Sequence, residues 1–156
     1  MIEFEGAEPP TLPYKSKFQA PTSLDSLAEI LSWFDRLQPD FVPRSVWLRC
    51  QLALAEGFTN AVRYAHQDSP QKQIDIEVNF LTQQIEIRVW DYGPPFDLEK
   101  KLQSLPTFPD RSAGGGRGLK LLQDIADELS YQRTADQRNC LLIVKYYEAV
   151  FPKKPT

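Results

Sequence analysis

Around position 73 the chain changes rhythm. Ile74, Ile76, Val78 and Phe80 alternate with Gln73, Asp75, Glu77 and Asn79, and beyond a turn at 81–84, Ile85, Ile87 and Val89 alternate with Glu86 and Arg88. A period of two with one dry and one wet face predicts a hairpin in an antiparallel sheet covered on one side. It argues against a doubly wound parallel sheet. Upstream the period is helical. After Ser23, a good cap, Leu24, Leu27, Ile30, Leu31, Phe34 and Leu37 recur at helix spacing until Pro39. A second helix is expected from about 43–45 to 66, with Trp47, Cys50, Leu54, Phe58, Ala61 and Ala65 on one stripe. Residues 14–20 alternate as an edge strand that Pro21 ends.

Downstream, 92–116 holds Pro94, Pro95, Pro106, Pro109 and three consecutive glycines, with room for a short helix around 98–102. A loop of that length inside a compact domain is commonly functional, often a lid. A third helix is expected over 117–128, then strands over 129–133 and 140–147. The expected layout is a flexible leader (1–13), one domain (14–150) and a tail (151–156). The fold class is α+β, a two-layer α/β sandwich with a mixed, mostly antiparallel sheet and about three helices on one face.

Composition changes this picture little. The 156 residues are 42% hydrophobic and 25% charged, with a net charge of −3, which speaks against a nucleic-acid or anionic-membrane binder. No run approaches the ~20 apolar residues of a membrane span, and the acidic, proline-broken start is no signal peptide. Cys50 and Cys140 fall in apolar periodic segments and read as buried free thiols in a cytoplasmic protein. The one histidine, His66, rules against a His-rich metal site and reads as a helix-end residue favoured by the dipole.

The glycines matter by position. Five of the seven are Gly93, Gly114, Gly115, Gly116 and Gly118. Such crowding fits a flexible hinge, or a backbone that approaches an anion at a helix N-terminus. The dinucleotide and P-loop patterns are absent, since Leu119 stands where the former needs glycine. In the second helix Glu56, Asn60 and Arg63 recur at i, i+4 and i+7, away from the apolar face. They form a solvated face, or a base, a neutral Mg²⁺ ligand and a phosphate clamp. Asp91 and Gly93, after a buried strand, form a simple turn or present a carboxylate to a purine amino group.

In order, Glu56-x3-Asn60-Ala61-x-Arg63-Tyr64, Asp91-x-Gly93-x-Pro95-Phe96-Asp97 and Gly115-Gly116-Arg117-Gly118-Leu119 resemble the N, G1 and G2 boxes of the GHKL ATPases. Within them the chain looks most like the small anti-sigma-factor serine/threonine kinases. The resemblance implies the Bergerat-type ATP-binding fold, with ATP and Mg²⁺ as cofactors. It makes Asn60 the Mg²⁺ ligand, Asp91 the acceptor of the adenine amino group with Gly93 beneath the ring, and Glu56 the general base. Gly114, Gly115, Gly116, Arg117, Gly118 and Leu119 would wrap the phosphates, and Arg63 would pair with phosphate. Where the family's last strand opens with Gly-Thr, this chain has Arg138-Asn139-Cys140. The implied function is phosphorylation of a small STAS-type anti-anti-sigma protein together with sequestration of a sigma factor, with a possible homodimer near the first helix. The alternative is a non-catalytic ATP-dependent regulatory binding module of the same fold.

Overall fold

The computed structural model describes residues 14–104 and 117–151. The expected leader, Pro106 and Pro109 in the central loop, Gly114 to Gly116 and the tail beyond Phe151 lie outside the described residues. Five strands form one sheet: β1 (Tyr14–Pro21), β2 (Gln73–Phe80), β3 (Gln84–Asp91), β4 (Glu128–Arg133) and β5 (Asn139–Tyr146). Their spatial order is β1-β2-β3-β5-β4. All four pairings are antiparallel, so the mostly antiparallel sheet expected is wholly so among the described residues. The helices are α1 (Leu27–Arg36), α2 (Arg44–Asn60), α3 (Leu98–Ser104) and α4 (Arg117–Ile125).

The alternation seen in the sequence decides which face is covered. Ile74, Ile76, Val78, Phe80, Ile85, Ile87 and Val89 are buried, and Leu141 and Ile143 continue the same rows. The opposite face carries Lys17, Glu77 and Arg88 in one cross-strand row. On the edge strand β1, Lys15 and Lys17 reach Glu77 (3.2 and 3.9 Å), and lysines on an edge discourage further strand pairing. Cys50 is buried as expected, whereas Cys140 belongs to the open-face row and is half-buried.

Trp47 of α2 anchors the core. Its ring lies between Phe34 of α1 (centroids 4.1 Å apart) and Phe80 of β2 (5.7 Å). Phe34 is thus a core residue, and Trp33 packs part-buried on Phe18 (5.2 Å). The first helix starts differently from its apolar pattern. Ser23 Oγ accepts from the Asp25 N–H (3.2 Å), and this cap opens a 3-10 turn, Leu24–Ser26, before α1 begins.

The end of α2 departs furthest from a uniform helix. After Asn60 the chain widens into a π-turn, Ala61–Ala65, closed by the His66 N–H donating to the Ala61 carbonyl (2.9 Å). A π-turn shifts the side chains that follow it off the α-helical stripe, and such turns recur at functional sites. No helix among the described residues is long and apolar enough to cross a membrane.

Candidate functional site

The site lies at the end of the sheet where α2 finishes, β3 finishes and β5 begins. Asp91, the last residue of β3, is 4% exposed. Its register partner on β5 is Asn139, which is fully buried. Asp91 Oδ1 accepts from the Asn139 amide nitrogen (2.8 Å) and from the Gly93 N–H (2.9 Å). Asp91 Oδ2 accepts from the Tyr131 hydroxyl (3.1 Å). An ionised carboxylate offers about four lone-pair directions, so the described residues use three and leave one on Oδ2. Burial first, then the Asp91 charge and its hydrogen bond, push the Tyr131 phenol well above its ordinary pKa, so it stays a donor.

Neighbouring groups fix this carboxylate further. The Asn139 amide also donates to the Gly93 carbonyl (2.8 Å), which Arg133 Nη1 reaches from β4 (3.3 Å). The Tyr131 ring stacks on Phe96 (4.4 Å), which follows the Asp91 turn. The Lys101 ammonium of α3 lies over Phe96 (5.1 Å) and over Tyr64 of the π-turn (5.4 Å), tying the start of the expected lid to the end of α2.

Gly93 has a steric reason to be glycine. A Cβ there would lie 2.7 Å from both Cα and the carbonyl carbon of Ala65, and nearer still to its oxygen. The turn after β3 therefore rests directly on the backbone of the π-turn.

Glu56 and Asn60 are half-buried on α2 and do not form the solvated helix face that spacing alone allowed. Glu56 faces α4: a Cβ on Gly118 would meet its Oε2 at 2.6 Å. The carboxylate thereby lies beside the first turn of α4, the positive end of its dipole. Arg63 falls in the π-turn and is exposed. Leu119 places its side chain in the core, at 2% exposure, so only its backbone is available to a ligand. Arg117 opens α4, while Gly114, Gly115 and Gly116 are outside the described residues. The structure thus brings Asp91 with Gly93, and Glu56 with Gly118, and leaves Arg63 apart.

Three residues of this end of the fold were not singled out for it in the sequence, Tyr131, Arg133 and His66, and Asn139 was noted only as a departure from Gly-Thr. Asn139 carried a signal, being a polar residue in the inward row of Leu141 and Ile143, and a buried amide needs partners. In the structure its amide holds Asp91. Two open hollows of about 380 and 720 Å³ lie at the far end of the sheet, beside Ser45, Arg49 and Tyr146 and beside Thr82 and Phe151.

A family profile described as the histidine kinase-like ATPase domain matches residues 20–145, and the chain belongs to that family. Among curated proteins it is similar to the serine-protein kinase RsbW of Bacillus velezensis and of Bacillus subtilis, each 32% identical over 87 residues. It is also similar to RsbW of Bacillus pumilus, 34% identical over 89 residues. Each match spans 53% of this chain and 54–55% of the relative, so the chain aligns with about half the length of these kinases.

Proposed function

We propose that the chain is an ATP- and Mg²⁺-dependent protein serine/threonine kinase whose substrate is a small STAS-type anti-anti-sigma protein, and that it also sequesters a sigma factor. In this reading residues 14–150 form the single histidine-kinase-like ATPase domain that carries the activity. The observation that carries the nucleotide assignment is Asp91: a buried carboxylate, oriented by Asn139, Gly93 and Tyr131, with one acceptor direction left. Such a group welcomes an exocyclic amino donor and repels a keto oxygen, which selects adenine over guanine.

The remaining roles follow from chemistry. Asn60 supplies a neutral oxygen of the kind that would hold Mg²⁺. Among the described residues no cluster of three or more His, Cys, Asp or Glu offers a cage of its own. When bound, the ion would offset phosphate charge. The first turn of α4, entered at Arg117 and Gly118, presents N–H groups to phosphate oxygens. Glu56, beside that turn, accepts the proton of the attacking hydroxyl, a contribution of ~10²–10⁴ in rate. Arg63 is the exposed cation available to phosphate or to the protein substrate.

The experiment pairs calorimetry with transfer. Purified protein should bind ATP in Mg²⁺ and bind GTP far more weakly. Labelled ATP should then mark a serine or threonine of a STAS-domain protein from the same genome. Absence of adenine-nucleotide binding defeats the whole reading. Binding without transfer to any such protein leaves the non-catalytic regulatory module instead.

A further inference from the structure

His66 is 1% exposed and terminates the π-turn. Its two ring nitrogens make two bonds to different parts of the chain. Nε2 lies 2.8 Å from the backbone nitrogen of Tyr92, and Nδ1 lies 2.8 Å from Thr22 Oγ1. A backbone N–H can only donate, so Nε2 carries the lone pair. A neutral imidazole then holds its proton on Nδ1, which donates to Thr22 Oγ1, and the Thr22 hydroxyl donates in turn to the Lys72 carbonyl. Every group in this chain donates and accepts consistently, and only with the ring uncharged. A proton on Nε2 would set two N–H groups against each other at 2.8 Å.

What this chain of bonds holds is specific. Tyr92 lies between Asp91 and Gly93, and the residue before His66 is Ala65, on which Gly93 rests. The His66–Tyr92 bond and the Gly93–Ala65 contact form one seam, joining the base-recognition turn to the helix end that carries Asn60. We propose that His66 is a positioning residue for nucleotide binding: neutral, it clips the Asp91–Gly93 turn onto the end of α2; protonated, it releases that turn. This rests on the ATP-binding reading above. The charged groups facing the ring are Asp91, from the end of β3, and Lys72, from the loop before β2; the Tyr92 ring lies beside it (6.2 Å) and Thr22 is uncharged. Burial lowers the imidazole pKa below its ordinary value; Asp91 opposes that shift and Lys72 adds to it. The neutral clip therefore persists below the ordinary imidazole pKa of 6.5 and opens as the pH falls further.

Because His66 is the single histidine, its ring signals in a heteronuclear NMR spectrum are unambiguous. In the nucleotide-free protein the ring nitrogens should show the Nδ1–H tautomer, with a pKa below 6.5. Saturating ADP and Mg²⁺ should lower that pKa further, since binding and protonation compete. Correspondingly, wild-type affinity should fall toward tenfold per pH unit once the pH passes below the imidazole pKa. His66→Gln keeps an acceptor at the Nε2 position and cannot titrate. It should bind ADP within about threefold of wild type at pH 8 and lose much less on acidification, the nucleotide's own titration being common to both proteins. An Nε2–H tautomer, or a pKa that ADP leaves unmoved, overturns the proposal, as does a His66→Gln profile parallel to wild type. If the protein binds no nucleotide, the kinase reading fails separately, while the tautomer and pKa of the free protein still test the clip.

Discussion

Asn139 donates from one amide nitrogen to both the Asp91 carboxylate and the Gly93 carbonyl, each at 2.8 Å, from the position directly across the β3–β5 ladder. The residue that opens the last strand is thereby the brace of the candidate base-binding turn. Asn139 is fully buried, so its removal takes one buried donor from a carboxylate oxygen that keeps only the Gly93 N–H at close range and one from a carbonyl that keeps only Arg133. Asn139→Ala should destabilise the fold by about 1–3 kcal/mol in denaturant unfolding. Nucleotide affinity should fall in addition, because Asp91 loses a fixed orientation. Unchanged stability would mean that water replaces the amide without loss.

Gly93→Ala tests the contact with the π-turn. The added methyl would overlap backbone atoms of Ala65, which cannot swing aside as a side chain can. The turn or the helix end has to shift, and overpacking of this kind typically costs 1–3 kcal/mol. Thermal unfolding should show the loss, and calorimetry should show weakened nucleotide binding from displacement of Asp91.

The strands and helices were legible because one covered face imposes its period on every element. Ile85, Ile87 and Val89 could belong only to an inward row, and Phe58 and Leu54 only to the buried stripe of α2. Glu56, Asn60, Asp91 and Gly118 stand out in the sequence by their spacing, and their functional roles belong to the proposal above. The π-turn was not, since Ala61 and Ala65 are buried in it just as they would be in a continuing α-helix. Asn139 acquires its role from a register partner 48 residues away, which no local pattern encodes. His66 differs for an electrostatic reason. A dipole-favoured histidine at a helix end is cationic, whereas an imidazole that accepts from the Tyr92 N–H is neutral.

The two thiols should separate by reactivity. Burial pushes the Cys50 thiol up to about 12, whereas Cys140 is half-buried on the open face of the sheet with a smaller rise of the same cause. The thiolate is the reactive form. At pH 8 a disulfide reagent should therefore modify Cys140 first in the native protein, and Cys50 only on unfolding. Mass spectrometry of the labelled peptides identifies the site. Equal native labelling would contradict the burial of Cys50 in the α2 core.

Glu56→Gln removes the basic oxygen while keeping the side chain's size beside Gly118. Phosphoryl transfer should fall by ~10²–10⁴, with the dissociation constant for ATP within about twofold of wild type. Single-turnover transfer and calorimetry read the two quantities separately. Equal loss of both would make Glu56 a binding residue and not the base.

Gly118→Ala separates catalytic geometry from folding. Among the described residues the new methyl would approach only the Glu56 carboxylate, the far end of a flexible side chain, and no backbone of another element. The side chain can rotate away at little cost, and alanine in a helix gains up to ~1 kcal/mol over glycine. Stability should therefore stay level or rise, the opposite of Gly93→Ala. Transfer should nevertheless drop, because the carboxylate has been moved from the first turn of α4, where the phosphates and the attacking hydroxyl are expected to meet. Undiminished transfer in this variant would show that the Glu56–Gly118 juxtaposition has no part in catalysis, even if Glu56 itself does.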